Sequence, residues 1–124
     1  MRYYADSCIW IDFLEERHTL NLFERCIDNC EELLISDILM DELCRYVCLN
    51  DLQMIIKMFE SKKLLFKTIS TKEQRIEAKN LALERNLPHG DALHAIIARD
   101  NNATLVTRDK HFQKLQDICI IELY

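Results

Sequence analysis

Short apolar segments alternate with longer helical ones along this chain, and that alternation limits the fold more than any other feature. The strand-like segments are residues 2–5, 33–35, 64–69, 104–107 and 118–121. Between them, apolar residues recur every three or four positions, which is typical of amphipathic helices. Strands that alternate with helices form β-α-β units with parallel strands. The pattern predicts an α/β fold, with helices on both faces of a mostly parallel sheet of four to five strands.

Length and composition support this fold class. The chain has 124 residues with one Gly and one Pro, too few for a turn-rich all-β fold. The length corresponds to a single domain over residues 1–124. No apolar stretch approaches the roughly 18 residues that span a bilayer, and Asp6 and Asp12 interrupt the apolar N-terminal segment that a secretory signal needs. We therefore expect a cytoplasmic protein that does not associate with membranes.

Capping residues predict where several helices begin. Ser7 is the expected N-cap of the first helix, and Thr71 with Gln74 has the spacing of a capping box. Asp91 is the expected N-cap of a helix that follows the single Pro and Gly. The other helical segments are expected at residues 18–30, at 38–59 with a break near Asn50, at 72–85, at 91–99 and at 109–115.

Four acidic residues occupy positions that such a fold would bring together: Asp6, Glu42, Asp91 and Asp109. Asp6 and Asp109 follow predicted strands, and ligands of parallel sheets bind outside the carboxyl ends of the strands. Carboxylates that converge repel one another, and a hard divalent cation such as Mg²⁺ or Mn²⁺ is the usual compensation. The sequence therefore predicts a divalent metal site.

Each acid also has an ordinary structural interpretation. Asp6 and Asp91 are suitable helix N-caps, and Arg108 is a possible ion-pair partner for Asp109. Asp41 precedes Glu42 by about 100° of helical rotation, so only one of the two can face the cleft. Periodicity leaves that choice open.

The chemistry suited to such a site is phosphodiester cleavage. A divalent ion polarises the phosphate and activates water, and a carboxylate orients the water or accepts its proton. Ser7 and Thr107 lie beside the acids in sequence and are candidate hydrogen-bond partners of the metal ligands.

The charges of the two halves differ in a way that suits a nucleic-acid substrate. Residues 1–61 carry five basic and thirteen acidic side chains, whereas residues 62–124 carry eleven basic and eight acidic ones. An acidic metal site beside a basic face is one interpretation, and chance imbalance of a solvated surface is the other. The candidate phosphate contacts are Lys62, Lys63, Lys67, Arg99, Arg108 and Lys110.

Cysteine and histidine offer weaker alternatives. The chain has six cysteines, and we expect buried free thiols in a reducing compartment. A zinc site from Cys26, Cys30, Cys44 and Cys48 is the alternative, because each pair has the spacing of one helix face. His94 is expected to be a hydrogen-bonded structural residue, with a general base or a zinc ligand as alternatives. A single Gly excludes a phosphate-binding Gly-rich loop.

Four motifs follow one another along the chain: residues 3–8 (YYADSC), 35–43 (ISDILMDEL), 90–95 (GDALHA) and 105–112 (LVTRDKHF). Together and in this order they resemble the PIN domains, particularly the VapC-like toxin ribonucleases of bacteria and archaea. The resemblance spans nearly the whole chain and selects Glu42 over Asp41. Cys8 departs from the common pattern, in which Asn or Ser is frequent.

The resemblance implies a PIN-like sandwich and an endoribonuclease whose Mg²⁺ or Mn²⁺ is held by Asp6, Glu42, Asp91 and Asp109. It also implies an RNA substrate, a homodimer and a cognate antitoxin, as in the toxin of a type II toxin–antitoxin pair. The alternatives are a solitary RNA-processing nuclease and a catalytically silent interaction module of the same fold. A phospho-acceptor receiver domain fits less well, because residues 64–69 contain no Asp.

Overall fold

Five parallel strands form one sheet at the centre of the molecule. The computed structural model describes residues 1–15 and 22–124. The strands are β1 (Arg2–Ala5), β2 (Glu32–Ser36), β3 (Leu65–Thr68), β4 (Thr104–Thr107) and β5 (Ile121–Leu123). Their order in the sheet is β3-β2-β1-β4-β5, and every pairing is parallel. The expected α/β class and strand number are confirmed.

Helices cover the sheet and complete the expected α/β/α sandwich. They are α1 (Ser7–Leu14), α2 (Leu22–Asp28), α3 (Asp37–Tyr46), α4 (Leu49–Ser61), α5 (Lys72–Arg85) and α6 (His89–Asp100). A 3₁₀ helix (Lys110–Leu115) connects β4 to β5. The capping box of Thr71 and Gln74 at the start of α5 is confirmed. The expected helix at residues 18–30 lies partly outside the described residues, which contain α2.

The central strands are buried because helices cover them, as parallel sheets require. Ring contacts of Phe23 with Trp10 and Phe59, at centroid distances of 4.7 and 6.2 Å, join α1, α2 and α4. Helix α6 is buried over seven consecutive residues, from Ala92 to Ala98. Among the described helices, none is long and apolar enough to cross a membrane.

Two helix starts differ from the prediction. Asp6, not Ser7, is the N-cap of α1, and its side chain accepts a hydrogen bond from the Ser7 backbone N–H. Helix α6 begins at His89 with Pro88 as its N-cap, so Asp91 is its third residue rather than its cap. Proline disfavours helical backbone at the residue before it, so the helix does not extend back beyond Pro88 and begins directly after it.

Two further boundaries were misplaced. The helical segment is interrupted at Val47 and Cys48, which have extended backbone, rather than near Asn50. Asp51 lies in the first turn of α4, where a carboxylate is favoured by the helix dipole. Strand β5 begins three residues later than predicted, because the backbone N–H of Ile118 still bonds back to Leu115.

The cysteines are free, but the expectation that they are all buried was wrong. Cys26 and Cys119 are buried and Cys8 is partly buried, whereas Cys30, Cys44 and Cys48 are exposed. Neither i, i+4 pair shares a helix, because α2 ends at Asp28 and α3 ends at Tyr46. The zinc alternative therefore loses the helix geometry on which it depended.

Candidate metal centre

Asp6 lies at the carboxyl end of β1 and is almost completely buried. Its Oδ1 accepts from the Ser7 backbone N–H at 2.7 Å, and its Oδ2 accepts from the Thr107 hydroxyl at 2.9 Å. Thr107 Oγ1 in turn accepts from the Asp109 backbone N–H at 3.0 Å. The Cys8 thiol lies 3.4 Å from Asp6 Oδ2. Asp6 is therefore both a helix cap and a fixed carboxylate at the end of the sheet.

Glu42 faces this end of the sheet from α3, whereas Asp41 is exposed to solvent. Its Oε1 accepts from His94 Nε2 at 2.8 Å. Burial alone would raise the pKa of Glu42, but the hydrogen bond and charge of His94 outweigh it and lower that pKa. The geometry thus resolves the choice between Asp41 and Glu42.

Asp91 projects from the first turn of α6 toward the other acids. Burial and then the charges of Asp6 and Asp109 raise the pKa of Asp91 to about 6, with a smaller contribution from Glu42. The start of α6 also approaches Glu42, since a Cβ added to Gly90 would lie 3.9 Å from Glu42 Oε1. The raised pKa therefore reflects burial first and repulsion by the neighbouring carboxylates second.

Asp109 follows β4 and caps the 3₁₀ helix. Its Oδ1 accepts from the backbone N–H of His111 at 2.9 Å and lies 2.8 Å from that residue's Nδ1. The ion pair between Asp109 and Arg108, which was the alternative explanation for Asp109, is not formed. Arg108 instead bonds the buried Asp12, with Nε 2.8 Å from Oδ2. This ion pair anchors the segment that carries Asp109 to α1.

The residues present suit a hard divalent cation. Ligand atoms of Asp6, Glu42 and His94 lie within 4.8 Å of one another. Carboxylate oxygen is the donor that Mg²⁺ and Mn²⁺ prefer. A bound cation would also favour the ionised form of Asp91, whose charge the neighbouring acids oppose. Asp6 and Glu42 supply carboxylate oxygens in this group, and the charges of Asp6, Asp109 and Glu42 all act on Asp91, so these four acids could hold such a cation.

Sequence reasoning missed the hydrogen bonds beneath the site. Tyr4, Ser36 and His94 are buried, and the Tyr4 hydroxyl hydrogen-bonds both Ser36 and His94. His94 was expected to be a hydrogen-bonded structural residue, which it is, but its partner Glu42 was not foreseen. The available signal was the position of His94 within an otherwise apolar helix segment.

The predicted phosphate contacts separate into two groups. Lys62 and Lys63 follow α4 and precede β3, and Arg99 precedes β4, so all three lie at the amino ends of the strands. Only Arg108 and Lys110 follow a strand at its carboxyl end, where the acids lie. Lys67 is paired with Glu60 at 2.9 Å. The structure does not bring the first group to the acids.

Comparison with known proteins agrees with this architecture. The PIN domain model matches residues 3–118. A crystal structure of VapBC2 from Rickettsia felis bound to a DNA fragment from their promoter has a chain that is 21% identical, with a TM-score of 0.72, covering 100% of this chain and 99% of that one. PAE2754 from Pyrobaculum aerophilum is 19% identical, with a TM-score of 0.62, covering 98% and 83%. No curated protein sequence matches the chain. At these identities the two structures share the fold.

Proposed function

Because this chain belongs to the PIN domain family, we propose that it is a metal-dependent endoribonuclease that uses Mg²⁺ or Mn²⁺. The observation that carries the proposal is the grouping of four acids: Asp6 and Asp109 follow β1 and β4, Asp91 lies in the first turn of α6, and Glu42 lies in the second turn of α3. Burial and then the charges of Asp6 and Asp109 raise the pKa of Asp91. Carboxylates that lie close together repel one another, and a cation bound among them would offset that repulsion.

In this proposal Asp6, Glu42, Asp91 and Asp109 hold the divalent ion. When bound, the ion would polarise the scissile phosphodiester and lower the pKa of an attacking water. Thr107 and the Ser7 backbone fix the Asp6 carboxylate from two sides. One of these carboxylates would orient the water or accept its proton.

RNA phosphates would approach the same end of the sheet. Lys110 is exposed there beside Asp109, and the Arg108 side chain is half exposed although it bonds Asp12. We assign the phosphate contacts to these two residues. Lys62, Lys63 and Arg99 lie at the opposite end of the strands and provide matched controls.

The biological role we propose is that of the toxin in a type II toxin–antitoxin pair. Support comes from the shared fold with a chain of the VapBC2 complex, which was crystallised with promoter DNA. The proposed partners are a cognate antitoxin and a second copy of this chain. Expression of the chain alone should arrest growth, and coexpression with the product of the neighbouring reading frame should relieve the arrest. Growth without arrest would favour a solitary RNA-processing nuclease.

The central test is cleavage of end-labelled RNA by the purified protein with Mg²⁺, with Mn²⁺ and with EDTA. We expect cleavage only with a divalent ion, and a loss of at least about 100-fold in Asp6→Asn, Glu42→Gln and Asp91→Asn. Asp41→Asn is the matched control, because Asp41 is an exposed acid beside Glu42 on the same helix. It should cleave like the wild type.

Two results would refute the proposal. One is cleavage that survives EDTA. The other is cleavage that survives Asp6→Asn and Asp91→Asn in protein of wild-type circular dichroism. A wild-type protein that binds Mn²⁺ in a calorimetric titration yet cleaves none of a panel of RNAs would point to another substrate. A protein that binds no divalent ion would favour the silent interaction module.

A further inference from the structure

Four side chains form one continuous hydrogen-bonded chain beneath the acids. Tyr4 Oη lies 2.6 Å from Ser36 Oγ and 2.7 Å from His94 Nδ1, and His94 Nε2 lies 2.8 Å from Glu42 Oε1. Tyr4, Ser36 and His94 are at most 2% exposed. Buried polar groups that are fully paired define a single arrangement, because any other arrangement leaves one of them without a partner.

This series of hydrogen bonds both begins and ends on α3. Ser36 is the N-cap of α3, and its Oγ accepts from the Leu39 backbone N–H at 3.0 Å. Glu42 lies on that same helix. The hydrogen bonds therefore run from the start of α3 through β1 and α6 and back to α3, so they fix both the helix and the carboxylate that it carries.

The two hydroxyl groups can satisfy His94 in either of its charge states. When His94 is neutral, Ser36 donates to Tyr4 and Tyr4 donates to Nδ1. When it is protonated, Nδ1–H donates to Tyr4 and Tyr4 donates to Ser36. In both cases Nε2–H donates to Glu42 Oε1, because an ionised carboxylate only accepts. The bond to Glu42 therefore does not depend on the charge of His94.

We propose that His94 and Tyr4 are positioning residues that hold the Glu42 carboxylate at the metal site and thereby set the affinity for the divalent ion. This inference rests on the proposed metal-dependent function. Both ring nitrogens of His94 already have partners, so the histidine acts through Glu42 rather than as a ligand. A half-buried Glu side chain that is held in one orientation loses less conformational freedom when it binds a metal.

Two substitutions at position 94 separate the two contacts of the ring. The amide nitrogen of Gln can occupy the position of Nε2, so His94→Gln retains a donor to Glu42 and loses the link to Tyr4. The shorter Asn reaches only the position of Nδ1, so His94→Asn retains a group beside Tyr4 and loses the donor to Glu42. The probe is Mn²⁺ alone, titrated calorimetrically into the metal-free protein without RNA.

We expect His94→Asn to weaken Mn²⁺ binding by about 10-fold to 100-fold, the usual effect of removing a partner of a metal ligand. His94→Gln keeps the donor to Glu42 but loses the link to Tyr4, so it should weaken Mn²⁺ binding by about threefold to tenfold. Tyr4→Phe preserves the packing and removes only the hydroxyl, so it should weaken Mn²⁺ binding by about threefold to tenfold. Thermal unfolding of each metal-free variant measures any structural damage separately.

The outcomes distinguish this inference from the proposed function. If the wild type binds no Mn²⁺, the metal-dependent function itself fails. If the wild type binds Mn²⁺ but His94→Asn and His94→Gln bind it equally well or equally poorly, the positioning role is wrong. If His94→Asn does not fold, Tyr4→Phe decides, because wild-type Mn²⁺ affinity in that variant would overturn the inference.

Discussion

Acidic side chains have opposite electrostatic surroundings at the two ends of the sheet. At the amino end, Arg99 lies 2.6 Å from Glu77 and 2.9 Å from Asp100, and Arg2 lies 3.1 Å from Glu32. The bond to Arg99 lowers the pKa of Glu77. Desolvation alone would raise the pKa of Asp100, but the bonds from Arg99 and Gln74 and the charge of Arg99 together lower it. At the carboxyl end, burial and neighbouring acids raise the pKa of Asp91. One end is neutralised by the protein itself, and the other has an excess of negative charge.

We assign the ion-paired charges at the amino end of the sheet to stability and the acidic charges at the carboxyl end to the proposed chemistry. The ion pairs at the amino end are partly exposed, and such pairs contribute little each. At the carboxyl end, burial and the neighbouring acids oppose the charge of Asp91 in the metal-free protein, and the proposed cation would relieve that opposition. If this comparison is correct, the two ends should respond differently to metal, to pH and to loss of charge.

The largest difference should appear when a divalent ion is added. Mn²⁺ at about 100 times its dissociation constant should raise the free energy of unfolding by about 2.7 kcal/mol, because it binds only the folded state. Asp6→Asn should lose most of this gain and Glu77→Gln should retain it. Thermal unfolding with Mn²⁺ and with EDTA measures both. An equal gain in Asp6→Asn would remove the distinction between the two ends.

The next effect is a gain of stability on removing one charge from the carboxyl end. In metal-free protein at about pH 8, Asp91→Asn should raise the free energy of unfolding by about 1 kcal/mol, allowing for solvent screening of a half-buried group. The folded pKa of about 6 lies above the ordinary 3.8, so the folded state holds this proton more tightly. The penalty is absent below about pH 4 and grows as pH rises through about 6.

Urea unfolding of both proteins from about pH 4 to about pH 8 tests this sign. The difference between Asp91→Asn and the wild type should grow with pH, while Asp41→Asn should show no such trend. A wild type more stable than Asp91→Asn at every pH would mean that Asp91 is stabilised by partners rather than opposed by them.

A smaller difference is expected in RNA binding. Lys110→Ser should weaken RNA affinity about twofold to fourfold, because it removes one phosphate contact beside the acids. Lys62→Ser should leave it unchanged, since Lys62 lies at the other end of the strands. Fluorescence anisotropy in an Asp6→Asn background avoids cleavage during the measurement. Equal losses in both variants would mean that RNA follows the whole length of the molecule.

The smallest effect concerns the amino end. Glu77→Gln should lower the free energy of unfolding by about 0.5 kcal/mol and leave RNA cleavage unchanged. The pKa of Glu77 is lowered, so its contribution is present above the ordinary pKa of 4.5 and is lost as pH falls through the folded value. Denaturant unfolding near neutral pH and near pH 3 measures it. Impaired cleavage would show that the two ends are coupled.

Much of the fold was predictable because it depends on local pattern. The alternation of apolar and helical segments predicts a mostly parallel sheet of four to five strands, and the structure has five in one parallel sheet. Boundaries were less predictable where tertiary contacts decide them. Helix α6 begins directly after Pro88, two residues before Asp91. Arg108 pairs with Asp12, 96 positions away in the sequence, rather than with its neighbour Asp109.

The candidate site was predictable as far as strand ends determine it. Asp6 and Asp109 follow strands, and a parallel sheet brings those ends together. The bond between Tyr4 and His94 joins residues 90 positions apart, and no local pattern reports such a contact. Lys62, Lys63 and Arg99 illustrate a different limit. The positions of charged residues in the sequence do not by themselves show whether a residue lies at the amino or the carboxyl end of the sheet, although the predicted topology contains that information.

The bond between Thr107 and Asp6 spans 101 positions, and this has a consequence for the chain during its synthesis. Asp6 leaves the ribosome long before β4 and Asp109 do. Until β4 emerges, the first three acids lack the strand that completes their end of the sheet. A nascent chain would therefore carry the proposed metal site unfinished over that interval, and the proposed cleavage could begin only after Asp109 has been added.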